Sequence, residues 1–240
     1  MVIKICKHLI PIIVFHSGST AFFADYLTDQ ITDEEPARIN EQYWNDILSR
    51  GFEDCLRTEI SHLAAPVSEL LLQYNCCLIH AAAVVFRKKA WLIVAPSGTG
   101  KSTQVRLLQK LFPGKFAVLC GDRPGLEFQK SGDIIVHPTP WNGKEDWHGA
   151  PATSLGGVIL LSRDEKDEVM QVRGIEAGVL IYPAMIQSGF SKESVIKMAE
   201  LTTIIAEKVP VLRLKDHTIP ESTFLLYNAI STLEEKNDSL

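Results

Sequence analysis

Residues Ala95-Pro-Ser-Gly-Thr-Gly-Lys-Ser102 decide the fold of this chain. They follow the pattern G-x-x-x-x-G-K-[ST], except that Ala95 stands where the pattern has Gly. In such a loop, backbone N–H groups surround a phosphate, the Lys reaches the β/γ-phosphates and the Ser hydroxyl ligates Mg²⁺. The methyl group of Ala95 removes no donor, so the departure matters only if this position requires a positive φ. The residues predicted to bind a nucleotide are Ala95, Pro96, Ser97, Gly98, Thr99, Gly100, Lys101, Ser102 and Thr103.

The sequence on either side supports this interpretation of the loop. Trp91-Leu-Ile-Val94 is a short apolar run that predicts a buried strand. After the loop, apolar residues recur at helical spacing between positions 102 and 111, and Pro113-Gly114 ends the helix. Strand, loop and helix in this order are the context that a phosphate-binding loop requires, because the helix N-terminus adds partial positive charge.

The composition excludes several classes of protein. The chain has 240 residues, of which 46% are hydrophobic and 22% charged, and this is ordinary for a globular protein. Its net charge is −5 and it has no block of Lys or Arg, so nucleic acid is not an expected partner. The five cysteines form no C-x-x-C pair and no metal-ligand spacing. We therefore expect free thiols and a cytoplasmic location.

We predict two domains: a small N-terminal α+β element at 1–60 and a catalytic domain at 61–240. Lys4 and Lys7 precede an apolar run at 9–15 that vaguely resembles a secretory leader. The run is too short to span a bilayer and Pro11 interrupts it, so we predict strands within 1–15 and no membrane partner. The other elements predicted in this part of the chain are a loop at 25–36 and helices at 37–55 and 67–74.

Strand patterns crowd together from residue 76 onward. A strand at 78–86 and its partner at 90–94 are predicted to form a hairpin that leads into the loop. Because hairpins outnumber strand–helix alternations, the pattern predicts an α/β fold with a mixed, hairpin-rich sheet. The remaining predicted elements are a strand at 116–120, a hairpin of 126–128 with 134–136, a hairpin of 157–161 with 169–172, and helices at 177–187, 192–208 and 221–236.

Three features together resemble the HPr kinase/phosphorylase-like family, whose catalytic fold is shared with phosphoenolpyruvate carboxykinases. His80 opens a strand 15 residues before Ala95, the core Ser97-Gly98-x-Gly100-Lys101-Ser102 matches S-G-x-G-K-S, and Asp122 follows the strand at 116–120. The resemblance covers about residues 76–165 well, the C-terminal helices only loosely and the first 60 residues not at all. It implies a kinase that uses ATP, or another nucleoside triphosphate, with Mg²⁺.

Two departures indicate a divergent branch of that family. Gly121-Asp122-Arg123 stands where the family commonly has an Asp-Asp pair, so one carboxylate is missing or comes from elsewhere. The segment from Pro138 to Trp147 replaces the family's glycine-rich signature. The resemblance therefore implies an acceptor other than HPr, namely a hydroxyl on a small molecule or on a serine of a peptide or protein. HPr-type enzymes assemble, so a homo-oligomer is also an expectation.

Five residues are assigned roles in phosphoryl transfer, which depends mostly on positioning and on stabilising charge. Lys101 neutralises the phosphates, and Ser102 binds the metal. Asp122 either ligates Mg²⁺ or accepts the proton of the acceptor, unless it only forms a turn before Arg-Pro-Gly. Arg123 stabilises charge in the transition state or merely pairs with Asp122. The resemblance implies that His80 contacts the γ-phosphate or orients the base; otherwise it is a hydrogen-bonded strand histidine.

The loop from Trp141 to His148 is the candidate acceptor site, because functional residues often lie in polar loops of this kind. Trp141 or Trp147 could stack on a ligand, and Lys144 could meet a phosphate or a carboxylate. Glu145 or Asp146 could replace the missing second carboxylate. Alternatively, the loop is solvated and its tryptophans only attach it to the core.

Other classes of protein share part of this pattern. An ABC-type ATPase needs an L-S-G-G-Q signature, which Ser154-Leu-Gly-Gly157 is not, and Ser162-Arg163 separates the strand at 159–161 from the following acids. In a non-catalytic nucleotide-binding module, Ala95 and the lost acid would mark decay. A phosphoenolpyruvate carboxykinase would need metal-ligating Lys and His residues that the sequence does not clearly provide. The sequence does not identify the acceptor.

Overall fold

A computed structural model of the chain describes residues 1–49, 55–145, 147, 149–187, 191–217 and 220–237. The described strands are β1 (Val2–Ile5), β2 (His8–Pro11), β3 (Cys76–Leu78), β4 (Ala81–Phe86), β5 (Lys89–Val94), β6 (Ala117–Cys120), β7 (Gly125–Phe128), β8 (Ile134–His137), β9 (Thr153–Arg163), β10 (Glu168–Val172) and β11 (Val211–Asp216). The described helices are α1 (Ser19–Phe22), α2 (Glu41–Ser49), α3 (Cys55–Leu71), α4 (Lys101–Leu111), α5 (Gly174–Ile181), α6 (Lys192–Lys208) and α7 (Glu221–Asn237).

Nine of the described strands form one mixed sheet, and β1 and β2 pair separately. The order along its main path is β3-β7-β8-β9-β5-β4-β6, and β11 joins β9 and carries β10 at its outer edge. Among the described strands of this sheet, the parallel pairings are those of β9 with β5 and with β11. The molecule therefore has a mixed α/β architecture whose sheet is mostly antiparallel.

The strand directions bring several chain segments to one edge of the sheet. β4 is antiparallel to both β5 and β6, so β5 and β6 run the same way. β9 and β11 are parallel to β5. As a result, the ends of β5, β6, β9 and β11 and the beginning of β4 lie at the same edge. Ligands of open α/β sheets bind at such an edge, outside the carboxyl ends of the strands.

Helices cover both faces of the sheet. α5 and α6 pack on one face and α4 and α7 on the other, each with buried aliphatic side chains. Trp91 of β5 is fully buried and donates a hydrogen bond from Nε1 to Glu234 on α7. Its ring lies over Gly157, where a Cβ atom would come within 2.4 Å of the indole. The glycines that could suggest an ATPase signature are therefore strand residues that make room for a tryptophan.

A predicted hairpin and a predicted strand differ from the observed structure, and one observed strand is not predicted. The predicted hairpin of 157–161 with 169–172 is wrong: β10 pairs with β11, and β11 lies between it and β9. The sequence analysis does not predict β11, a short strand at Val211–Asp216 whose parallel partner β9 lies about 50 residues earlier in the chain. The predicted strand at 78–86 is interrupted at Ile79 and His80, so that β3 pairs with β7 and β4 with β5 and β6.

The N-terminal part packs around α3, which is longer than the predicted helix at 67–74. α3 contacts β1, β2 and β3 through a core cluster that includes Leu63, Val67 and Leu71. The predicted domain boundary between residues 60 and 61 falls inside this helix, and the division itself stays a prediction. The predicted helix at 177–187 ends at Ile181 and continues as a short 3₁₀ turn. Within the described residues, no helix has the length and apolar composition needed to cross a membrane.

Candidate functional site

A cavity of about 990 Å³ opens at the edge where these strands end. The loop at 95–102, which we call the phosphate loop after its sequence motif, lines one part of it, and the residues after β6 and before β4 line another. All four residues predicted to be catalytic line it, namely His80, Lys101, Asp122 and Arg123. The sequence prediction and the fold thus agree on which side chains come together.

The phosphate loop connects β5 to α4, as the motif requires. Ala95 is buried in the core beneath α4 and does not have a positive φ, so its methyl group fits a position where Gly is not needed. Gly98 and Gly100 have φ values of +79° and +120°, a conformation that side-chain-bearing residues rarely adopt. The loop conformation therefore requires glycine at 98 and 100, where the sequence has it, and not at 95, where the sequence has Ala.

Lys101, the first residue of α4, turns back across the loop. Its ammonium group donates hydrogen bonds to the Ala95 carbonyl at 2.7 Å and to His80 Nε2 at 2.9 Å. Burial lowers the pKa of Lys101, and the nearby Asp122 carboxylate opposes this shift. The ammonium group is thus held at the point where the loop meets β4 and β6.

His80 lies in the break between β3 and β4. Its backbone N–H donates to the Ala184 carbonyl at 2.7 Å, and its Nε2 is 3.5 Å from Asp122 Oδ1. Burial lowers the pKa of His80, the charge of Lys101 lowers it further, and Asp122 opposes both. A lowered pKa favours the neutral ring. Since Nε2 accepts a hydrogen bond from the Lys101 ammonium group, we assign the single ring proton to Nδ1.

Asp122 follows β6 and is fixed from several directions. Its carbonyl accepts a hydrogen bond from the Ala81 N–H at 2.9 Å, and its Oδ2 lies 3.2 Å from Arg123 Nε. The preceding residue, Gly121, packs against the Asn142 carbonyl so closely that a Cβ atom would be 2.1 Å from the oxygen. The carboxylate is therefore held in place while one oxygen faces His80.

Arg123 links the site to the N-terminal part of the chain. Its guanidinium group donates to the Ser61 carbonyl at 2.6 Å and to the Ser61 hydroxyl at 2.9 Å, in addition to the ion pair with Asp122. The side chain is mostly buried. Of the two roles considered for Arg123, these contacts correspond to pairing with Asp122, and they add an attachment to α3.

The predicted acceptor residues line the cavity but differ in their availability. Trp141 is buried against Phe23, and its indole donates to the Ile60 carbonyl at 2.7 Å, so it is part of the wall. Glu145 forms an ion pair with Arg106 of α4 at 2.5 Å. Lys144 is exposed at the cavity. Asp146 and His148 lie outside the described residues.

A second Asp–Arg pair lies on the other side of β5 and was not predicted. Arg163 at the end of β9 donates from Nη1 to Asp216 at the end of β11, at 2.5 Å. Asp216 is buried and also accepts from the Ser222 hydroxyl at 2.7 Å. Arg163 Nη2 would lie 3.2 Å from a Cβ atom on Gly100, so the guanidinium group is next to the phosphate loop. The sequence shows Arg163 only as a break between a strand and two acids.

The residues present fit a magnesium ion. Ser102 and Asp122 line the same cavity, and Mg²⁺ is usually bound by one or two protein oxygens together with water and substrate phosphates. No cluster of three or more His, Cys, Asp or Glu side chains is found among the described residues. A metal with its own complete set of protein ligands is thus not indicated in that part of the chain.

No protein-family model matches the sequence, and no curated protein matches it. Among solved structures, the chain is similar to the Hpr(Ser) kinase/phosphatase from Coxiella burnetii, with 15% sequence identity and a TM-score of 0.41. The alignment covers 68% of this chain and 95% of that chain. A likeness of this degree assigns the chain to no family, and the function proposed below depends on the chain's own residues.

Proposed function

We propose that this protein is a kinase that transfers the γ-phosphate of ATP, or of another nucleoside triphosphate, to a hydroxyl group. The acceptor is a small molecule or a serine of a peptide or protein. One observation supports this above all: Lys101 of the phosphate loop and the carboxylate of Asp122 both lie against His80 Nε2 in one cavity. A phosphate bound by Lys101 is then next to a carboxylate that can accept a proton.

The donor is held by the loop and the start of α4. Backbone N–H groups and the helix N-terminus surround the phosphates, and Lys101 reaches those farthest from the nucleoside. His80 orients the Lys101 ammonium group by accepting its hydrogen bond. Ser102 would hold Mg²⁺ directly and Asp122 only through water, so that a carboxylate oxygen is left to accept a proton; the bound ion would neutralise charge on the phosphates.

Transfer requires that the acceptor hydroxyl loses its proton. The hydroxyl oxygen forms a bond to the γ-phosphorus while the bond to the oxygen bridging the β- and γ-phosphates breaks, so that ADP leaves. The proton passes to the carboxylate of Asp122. Arg123 keeps this carboxylate in position through its ion pair with Asp122 and its two hydrogen bonds to Ser61.

A direct assay tests this function. Purified protein is incubated with ATP, Mg²⁺ and a panel of free serine, free threonine and serine-ending peptides, and phosphorylated products and ADP are both measured. We expect a phosphorylated acceptor formed in equal amount to ADP. Release of ADP without any phosphorylated acceptor would instead indicate an ATPase.

The alternatives find less support in the structure. The segment that an ABC-type ATPase would use as its signature lies inside β9, and Arg163 pairs with Asp216. A non-catalytic module gives no reason for the carboxylate, imidazole and ammonium groups to converge on one cavity. As for a phosphoenolpyruvate carboxykinase, the described residues hold no group of three or more His, Cys, Asp or Glu side chains that could bind a metal ion. A cytoplasmic location and assembly into a homo-oligomer remain predictions.

A further inference from the structure

The N-terminal part of the chain forms one complete wall of the cavity. Leu56, Arg57, Ile60 and Ser61 line it from a single face of α3, because residues four apart in a helix lie above one another. Phe22 of α1 extends the same surface. We call these five residues the α3 wall. Phe22, Leu56 and Ile60 are half-buried and Arg57 is exposed, so the wall is an apolar surface with a cation at its side.

The α3 wall is built into the site. Arg123 donates to Ser61, and the Trp141 indole donates to the Ile60 carbonyl. On the other side of the helix, the buried carboxylate of Glu59 accepts hydrogen bonds from the backbone N–H groups of Phe15 and His16 and from the Ser19 hydroxyl. These contacts fix α3 against the catalytic residues and fix the segment that carries Phe22 against α3.

The direction of the phosphate chain decides what the wall faces. In a loop of this kind the Lys binds the β/γ-phosphates, and the Lys101 ammonium group lies against His80, close to Asp122. The γ-phosphate end is therefore on the side of β4 and β6. Arg123 connects this end to α3, whereas Gly100 and Arg163 are on the β9 side. Since an acceptor approaches the γ-phosphorus opposite the leaving oxygen, it must enter from the α3 side.

We propose that the α3 wall is the acceptor-binding surface, and that the acceptor is an alcohol whose hydroxyl is attached to an apolar group. This inference rests on the proposed kinase function and names its substrate class. Phe22, Leu56 and Ile60 contact the apolar group, and the hydroxyl reaches Asp122. A cavity of about 990 Å³ is at the upper end of the usual range for small-molecule sites, so it has room for more than the phosphates.

The test compares acceptors that differ only in apolar content. The probes are free serine, N-octanoyl-serine, and pentapeptides whose central serine is flanked by Leu or by Gly. Each is assayed with the unchanged protein, with Leu56→Ser and with Ile196→Ser. Leu56 is the substituted residue because it belongs to none of the core clusters in the described residues. Ile196 is a matched control, since it is a partly exposed aliphatic side chain on α6 that does not line the cavity.

We expect kcat/KM for the apolar acceptors to exceed that for free serine and for the Gly-flanked peptide by at least about tenfold, the scale of one good apolar contact. Leu56→Ser removes this preference and leaves the KM for ATP unchanged, while Ile196→Ser changes neither. Preference for N-octanoyl-serine would identify a small amphiphile as the acceptor, and preference for the Leu-flanked peptide would identify a peptide.

Three results would overturn the inference. Equal phosphorylation of apolar and polar acceptors, or a preference that survives Leu56→Ser, would leave the kinase function in place and remove the acceptor role of α3. A higher KM for ATP in Leu56→Ser would assign the wall to the nucleoside of the donor. If the unchanged protein phosphorylates none of the probes, the proposed function fails and the acceptor site fails with it.

Discussion

Two Asp–Arg pairs lie on opposite sides of the phosphate loop. The aspartate is the more exposed residue in one pair, and the arginine is the more exposed residue in the other. In the pair after β6, the Asp122 side chain is 28% exposed and the Arg123 side chain 16%. In the pair at the ends of β9 and β11, Asp216 is 1% exposed and Arg163 is 52% exposed. The same two residue types thus present a carboxylate to the site on one side and a guanidinium group on the other.

The buried member of each pair positions the exposed member. Arg123 is attached to Ser61, and Asp216 is attached to Ser222, which in turn accepts a hydrogen bond from Gln104 of α4 at 3.1 Å. A buried charge needs a partner and hydrogen bonds, so each pair is fixed by its inner residue. The comparison teaches that exposure, and not residue type, indicates which group is available to a ligand: the acid in one pair and the cation in the other.

The largest effect is expected from Asp122→Asn. This change keeps the shape of the side chain and removes the proton acceptor, so transfer should fall by roughly 10²–10⁴-fold, the usual contribution of a positioned acid or base. Product formation is measured with saturating ATP, and ATP affinity is measured separately and should be retained. Unchanged transfer with intact nucleotide binding would remove Asp122 from catalysis.

Arg163→Met tests the exposed residue of the second Asp–Arg pair. If its guanidinium group contacts the phosphates, the Kd for ATP should rise about tenfold or more, the scale of a charge-assisted hydrogen bond. Equilibrium binding of ATP and of inorganic tripolyphosphate measures the effect, and both should weaken alike. Arg87→Met is the matched control. Arg87 also forms an ion pair with an acidic residue, Glu235, but it lies in the turn before β5, at the opposite end of that strand from the phosphate loop. Equal affinities in the two variants would contradict the comparison.

Asp216→Asn tests the inner member of the second pair. It weakens the attachment of Arg163 within a buried network, and we expect the free energy of unfolding to fall by about 1–3 kcal/mol. Urea denaturation measures this change. In contrast, Asp122→Asn should lower the free energy of unfolding less, because its carboxylate is partly exposed and Arg123 keeps its two hydrogen bonds to Ser61. A reversed order of the two stabilities would refute the distinction drawn here.

The smallest effect concerns pH. The pKa of His80 is held below its usual value of 6.5 by burial and by Lys101, so the folded protein takes up this proton less readily than the unfolded chain. Stability should therefore decrease as the pH falls below about 6.5. Protonated His80 can no longer accept the hydrogen bond of Lys101, so kcat/KM should decline over the same acidic range. The pH profile of His80→Gln, which retains an acceptor oxygen, should lose this decline.

The sequence predicts the half of the site that depends on local structure. The segment from His80 through the phosphate loop to Asp122 is continuous in the chain. A hairpin joins β4 to β5, and after α4 the chain returns as β6 beside β4, so that these parts meet at one edge. The loop motif also specifies which side chains face a phosphate. These elements could be placed without any knowledge of the rest of the fold.

The other half depends on contacts between distant parts of the chain. Arg123 meets Ser61 from 62 residues away, and Arg163 meets Asp216 from 53 residues away. No local sequence pattern predicts such pairs. The sequence of a single strand likewise does not predict that β9 and β11 pair in parallel. Trp141 is another example, because its indole packs against Phe23. Phe23 belongs to the N-terminal part of the chain, whose position the sequence does not predict.

Two hydrogen bonds to the main chain of α3 affect how the sequence of this protein can change. Arg123 donates to the carbonyl oxygen of Ser61, which belongs to the main chain, and Trp141 likewise donates to the carbonyl of Ile60. Side chains on this face of α3 can therefore be exchanged without breaking either of these two attachments of the helix to the catalytic residues. Mutation could alter which molecule is recognised while the reaction itself stays intact, and a library randomised at Leu56, Arg57 and Ile60 would explore new acceptors on an unchanged catalytic core.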